Sequence, residues 1–306
     1  MRRRALLAAL ASGAAASAAG CVRAPGFRPP VPDPDADAAL AVTDFDVTTE
    51  KVAPDYRWLV RITGVYSTDA VGRHFTDPVV VDVADIDDPE IRDAVERTLR
   101  DGEYRTNSIP DGLRDFVART DLVTWAANTA ADATATHWSL GVFDADPGSS
   151  PAVQFDARVT DSGVSADDPA AIEFSLTNVG GETYAVFSGT VPPFSLLNAT
   201  RPSDLGSESP TDFLLWNDRY ADDECVGIQD DRLVVCAIGV RTPIEPGETI
   251  TREYAIDPAK PRTRSLGPGD WTISDTLTYH REGEAQGPST EVEWRVDFTL
   301  EDVETE

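Results

Sequence analysis

Lysine is nearly missing from this 306-residue chain, which has only Lys51 and Lys260. Histidine and cysteine occur three times each, and Met1 is the sole methionine. No G-x-S-x-G, H-E-x-x-H or P-loop pattern is present, so the usual signatures of a hydrolase, a zinc protease and a nucleotide-binding enzyme are all wanting. His74 and His137 have no nucleophile or carboxylate placed by a motif beside them, and they read as solvated or simply hydrogen-bonded side chains. Basic residues number 26 against 54 acidic ones, for a formal net charge of −28. With no basic patch, nucleic-acid binding has no electrostatic footing.

Long apolar runs are lacking too. The longest, Ala5 to Ala19, follows Arg2, Arg3 and Arg4 and ends at Gly20-Cys21. It is shorter than the roughly 20 residues needed to cross a bilayer, and it has the charged start, short apolar middle and small-residue end of an export signal. Ala18-Ala19-Gly20-Cys21 resembles the lipobox of lipoproteins, which implies that Cys21 carries a lipid and holds the protein on the outer face of the cytoplasmic membrane. Arg3-Arg4-Ala5-Leu6-Leu7 resembles a twin-arginine export signal. The next stretch, 22–37, has prolines at 25, 29, 30, 32 and 34 and no apolar period, so it is expected to be an extended tether.

The acidic residues are spread along the chain in Asp-Asp and Asp-x-Asp pairs. Disorder does not follow, because 41% hydrophobic residues and six tryptophans suffice for cores. The excess of Asp, with Arg replacing Lys, resembles the salt-adapted proteins of halophilic archaea. In molar salt the Debye length falls to about 3 Å, which removes the self-repulsion of such a surface.

Two domains are expected, at 38–144 and 151–306, divided by the turn-forming run Asp144-Ala-Asp-Pro-Gly-Ser-Ser-Pro151. The first reads as α+β. Strands are predicted at Val42–Thr48, Arg57–Tyr66 and Val79–Val83, followed by a helix. Asp88 caps that helix, Pro89 opens it, Ile91, Ala94, Val95 and Leu99 share one face, and Gly102 ends it. A second helix is predicted at Pro110–Arg119. Closing strands follow at Leu122–Trp125 and Thr136–Phe143, with a turn at Asn128–Ala135 between them.

The second domain reads as an all-β sandwich. Its nine runs are Val153–Val159, Ala171–Thr177, Thr183–Ser188, Asp212–Asn217, Cys225–Gln229, Arg232–Val240, Glu248–Ile256, Trp271–Tyr279 and Thr290–Leu300. In the last of these, Val292, Trp294, Val296, Phe298 and Leu300 fall on one face, and a one-residue slip would turn all five into water. A hairpin turning at Asp230-Asp231 sets Cys225 directly opposite Cys236, where the Cα separation of paired strands suits a disulfide. A metal or redox pair is the alternative, with only His280 to assist.

Three segments, Ile172-Glu-Phe-Ser-Leu-Thr-Asn178-Val-Gly-Gly, Ile244-Glu-Pro-Gly-Glu-Thr-Ile250 and Gly267-Pro-Gly-Asp-Trp-Thr-Ile273, resemble the turns of immunoglobulin-like domains, including the proteinase-inhibitor type. The resemblance implies a sandwich; proteinase inhibition would follow by fold analogy alone. Asn198-Ala-Thr200 is a glycosylation sequon expected on an exposed loop. Asp222, Asp223, Glu224, Asp230 and Asp231 are weak calcium candidates, because their spacing is not that of an EF-hand.

No cofactor and no catalytic residue is expected. The leading expectation is a lipid-anchored surface protein with a structural or protein-interaction role toward an envelope protein or polymer. The second is a binding module for a small solute or envelope polymer, with Trp216, Tyr220 and Trp58 in a groove between the domains.

Overall fold

The computed structural model describes residues 31, 38–125, 137–222, 225–229, 232–236 and 238–303. The leader with Cys21, most of the tether and the turn expected at Asn128–Ala135 lie outside them. Within them the protein is β-rich, with several separate sheets.

The first strand, β1 (Leu40–Ala53), precedes a mixed unit. That unit contains β2 (Trp58–Tyr66), α1 (Thr68–His74), β3 (Val80–Asp82), α2 (Pro89–Asp101), β4 (Glu103–Thr106), α3 (Leu113–Arg119), β5 (Leu122–Thr124) and β6 (His137–Asp144). Its sheet runs β3-β5-β6-β2-β4, with only β3 and β5 parallel. The Asp88 side chain accepts from the backbone N–H groups of Glu90 and Ile91 at 2.8 and 3.2 Å, which satisfies two donors of α2's first turn. Gly102 ends the helix in the left-handed conformation at φ 85°. Ile91, Ala94, Val95 and Leu99 bury their shared face against Val60, Val123 and Trp138. The second helix starts at Leu113, later than Pro110, because Gly112 sits at φ 81° and interrupts the helical path. Helix α1 and strand β4 had not been expected; both are too short for their periodicity to stand out.

Then come β7 (Val153–Asp161), β8 (Gly163–Val164), β9 (Ala170–Asn178), β10 (Tyr184–Ser188), β11 (Asn198–Thr200), β12 (Asp212–Leu214), α4 (Arg219–Asp222), β13 (Val226–Gln229), β14 (Arg232–Val235), β15 (Val240–Ile244), β16 (Thr249–Ile256), β17 (Gly269–Arg281) and β18 (Thr290–Asp302). One sheet is β16-β9-β7. The largest has the path β12-β11-β17-β18-β1-β8, with β10 also on β17 and β15 on β10. These two sheets share one core: Phe155 and Phe174 of the smaller sheet meet Trp294 of β18, with Phe155 stacked at 4.3 Å. Along β18 the five alternating apolar residues are at most 4% exposed.

Two boundaries differ from expectation. The 42–48 strand, assigned to the first domain, instead lies beside β18 over most of its length and supplies Val42, Phe45 and Val47 to the two-sheet core. Nothing local in the sequence marks a partner some 250 residues away in the chain, since pairing depends on which edge is open. The run Arg232–Val240 is two strands, because the chain leaves the hairpin at Cys236 and re-enters the large sheet at Val240, opposite Ser188. Val31, within the stretch expected to be a tether, packs against the two-sheet core.

On its outer edge β1 is registered with β8 at Leu40 and Ala41, and the Val42 N–H donates to the Ser162 carbonyl at 2.9 Å; no registered partner continues along that edge among the described residues. Such an edge invites pairing with another chain. Lys51 opposes that: its side chain turns inward with 3% exposure, and its ammonium donates to the Asp146 carbonyl at 2.6 Å. Desolvation by burial holds the Lys51 pKa below its ordinary value. The same bond ties β1 to the segment joining the two units, where the Ala152 N–H also donates to the Tyr279 hydroxyl at 2.8 Å.

Candidate functional site

The site is built on the outer face of β1, β18 and β17, and residue alternation decides its lining. Thr49, Trp294 and Asp275 form one cross-strand row on the core-facing parity. The rows on either side, Thr48–Arg295–Ser274 and Glu50–Glu293–Thr276, face outward. Together the nine residues line a hollow of about 530 Å³. No residue of the β16-β9-β7 sheet borders it, which puts it on the solvent side. Of the charged groups around it, Arg295 is already engaged: Nε donates to both Asp297 carboxylate oxygens at 2.9 and 2.7 Å, and Nη2 donates to Thr272 Oγ1 at 3.1 Å.

Beside the hollow the sheet is open. On β17's other edge, β11 pairs at Thr272 and β10 pairs at Thr278–Arg281, so no registered partner faces Ile273–Leu277 among the described residues. A notch of about 210 Å³ occupies this gap, lined by Phe187, Ser188, Gly189, Pro193, Phe194 and Ser195 on one side and by Asp275–Thr278 on the other. It shares Asp275, Thr276 and Trp294 with the hollow, so the two adjoin. The segment joining β10 to β11 is bent by two left-handed residues, Val191 at φ 61° and Ser195 at φ 65°. A β-branched residue there is a true outlier, and such conformations are held only where the surroundings impose them. Burial of Val191 and Phe194 and the bond from the Tyr254 hydroxyl to the Ser195 carbonyl, 2.8 Å, impose them here. Phe187 stands at the rim with 52% exposure, its ring lying where a Cβ at Gly239 would strike it.

Asp275 sits where hollow and notch meet. Loss of water to the surrounding protein raises its carboxyl above the ordinary 3.8, and the Thr276 N–H, donating at 2.7 Å, only partly opposes this. A raised folded-state pKa means that the favourable contribution is complete below the unfolded value and is lost as pH rises through the folded one. Asp275 is also exposed, and solvent screening reduces the effect, so at neutral pH its ionised form costs only a little stability. Asp275→Asn is expected to raise the unfolding midpoint at about pH 7 and to change nothing at about pH 3, where the wild-type carboxyl is neutral in both states. Thermal unfolding at the two pH values checks this; a gain at the lower pH only would contradict it.

The residues singled out from the sequence lie elsewhere. Trp216 and Tyr220 meet edge to face at 5.4 Å, Tyr220 is 3% exposed, and Lys260 lies over the Trp216 ring at 4.9 Å. Burial pushes the Tyr220 hydroxyl up. Trp58 belongs to the other unit, where the guanidinium groups of Arg57 and Arg114 lie at 5.7 and 4.2 Å from its ring centre. Trp58 therefore packs apart from the Trp216–Tyr220 pair. Asn198 is on a strand flanked by β12 and β17, not on an exposed loop, and its side-chain oxygen is buried. Asp223, Glu224, Asp230 and Asp231 lie outside the described residues, and Asp222 ends α4. Among the described residues no group of three His, Cys, Asp or Glu is placed to hold a metal ion. Cys225 and Cys236 are joined by a disulfide, with Cα atoms 4.9 Å apart, in a hairpin whose register has Val226 opposite Val235. The bond suits an oxidising, extracytoplasmic compartment.

The turn motifs have structural work. Asn178 is fully buried; its side-chain N–H groups donate to the Glu182 and Ile244 carbonyls, and its backbone carbonyl accepts from Gly247. Gly267 to Trp271 is clamped by Arg201, which donates to the Pro268 carbonyl at 2.8 Å and lies 3.9 Å from the Trp271 ring centre. Gly269, at φ 117°, leaves room for that guanidinium where any Cβ would strike it.

Residues 138–301 match the model of a family defined as a domain of unknown function, DUF8130. The chain belongs to the DUF8130 family. No curated protein matches it. The DUF8130 span contains the β17 and β18 walls of the hollow and the whole notch, while the β1 wall, Thr48 to Glu50, precedes it. The signal that sequence reading missed was the polar set on alternate positions of β17 and β18; it names no site until β1 is placed beside β18.

Proposed function

We propose that this DUF8130 protein is an exported, surface-tethered binding module whose immunoglobulin-like sandwich takes a small solute or an envelope polymer. The hollow on the outer face of β1, β18 and β17 carries this reading, because a concave polar site of about 530 Å³ falls within the range of ligand sites, about 300–1,000 Å³. Intrinsic tryptophan fluorescence tests it: Trp294 borders the hollow, so saturable quenching by a solute or soluble envelope polymer in molar salt is expected. Hydrolysis of a panel substrate, abolished by a single substitution, would overturn it in favour of an enzyme.

The address rests on the leader. A lipid on Cys21, export through the twin-arginine route and a tether ahead of β1 fit one surface protein, and the Cys225–Cys236 bond is what that compartment favours. No helix among the described residues is long and apolar enough to cross a membrane. The halophilic reading rests on the net charge of −28 with two lysines. Circular dichroism of the mature chain is expected to lose its β signal on dialysis from molar to millimolar salt, as unscreened carboxylates repel one another. An unchanged spectrum would argue for an ordinary acidic protein.

A further inference from the structure

We infer that the adjoining hollow and notch act as one binding site for a neutral, polyhydroxylated ligand, a sugar or a stretch of glycan. The inference rests on the binding-module reading and names its ligand class. Three features carry it. First, the lining is rich in acceptors: Glu50, Glu293 and Asp275 offer carboxylate oxygens, and the one guanidinium present, Arg295, is already held by Asp297 and Thr272. Such a lining selects a ligand that donates many hydrogen bonds. Second, Ser274 and Thr276, both exposed, have hydroxyls that donate as well as accept, which matches a ligand whose own groups do both. Third, the exposed ring of Phe187 rims the notch and provides an apolar surface of the kind on which the C–H face of a sugar ring rests.

An ammonium ligand would satisfy the carboxylates alone. In the molar salt that this composition suits, attraction between charges is screened beyond about 3 Å, whereas hydrogen bonds and apolar contact act at contact distance. An ammonium has no use for the hydroxyl rows or for the Phe187 rim, whereas a sugar uses all three features at once.

Titration calorimetry of the full mature chain in molar salt tests the inference, with glucose, mannose, their linear trisaccharides and spermine as probes. Saturable heat with at least one saccharide is expected, weakened about tenfold by Phe187→Ala and about fivefold by Thr276→Val. Both side chains are exposed, and an unchanged circular dichroism spectrum verifies that each variant is folded. Trisaccharide binding that is stronger than monosaccharide binding identifies a polymer as the source, and equal binding identifies a free solute; either supports the site. Spermine binding without saccharide binding overturns the ligand class while leaving a binding module. Saccharide binding indifferent to both variants overturns the location, and no heat with any probe overturns the inference.

Discussion

Trp294→Ala is expected to lower the unfolding free energy by about 3–5 kcal/mol, the range for deleting a large aromatic from a packed core. The residue is 4% exposed at the centre of β18, stacked on Phe155 at 4.3 Å and edge-on to Phe174 at 6.0 Å. Both partners belong to the opposing sheet, so truncation leaves a cavity between sheets, where neither backbone is free to close it. Urea unfolding at constant molar salt measures the loss. Trp58→Ala serves as the contrast, because guanidinium groups rather than core side chains flank that ring, and its effect is expected to be much smaller. Similar losses for the two would mean that Trp294 is not the joint between the sheets.

Replacing both Cys225 and Cys236 by serine is expected to cost about 3 kcal/mol, the loop-closure value for a bond spanning roughly a dozen residues. The sequence separation is 11, and β13 and β14 form a two-stranded sheet of their own. Two strands alone are marginal in water, so the bond supplies what a third strand would. The loss should appear first as faster amide exchange at Val226–Gln229 and Arg232–Val235, with the β17–β18 amides still protected. Equal exchange in reduced and oxidised protein would show that the hairpin holds without its staple.

Features made by neighbours in the chain were legible beforehand. The Asp88 cap, the Gly102 terminus and the buried face of α2 need only a few consecutive residues. The cysteine pairing was legible for the same reason, since a tight hairpin makes register a matter of counting outward from the turn. The alternation of β18 could be read because burial on one face leaves only one acceptable register. The burial of Tyr220 was hidden on the opposite ground. A tryptophan or tyrosine reads alike in a sequence whether it faces a groove, as had been expected of Trp216 and Tyr220, or a core, where Tyr220 is found.

The sequence by itself determined the excess of acidic residues, the scarcity of lysine, the hairpin of Cys225 and Cys236, and the alternation that buries Trp294. All are local or compositional, and each follows from residue chemistry without knowledge of a partner strand. Only the tertiary structure decided that β1 lies against β18, that Lys51 is turned inward beside Asp146, and that the edge of β17 away from β18 has no registered partner between Thr272 and Thr278 among the described residues. The candidate site belongs to this second group. Its walls come from strands far apart in the chain, and its opening exists because two short strands stop before they meet. Non-local pairing is settled by which edges remain available once the core has closed, and no local pattern encodes that.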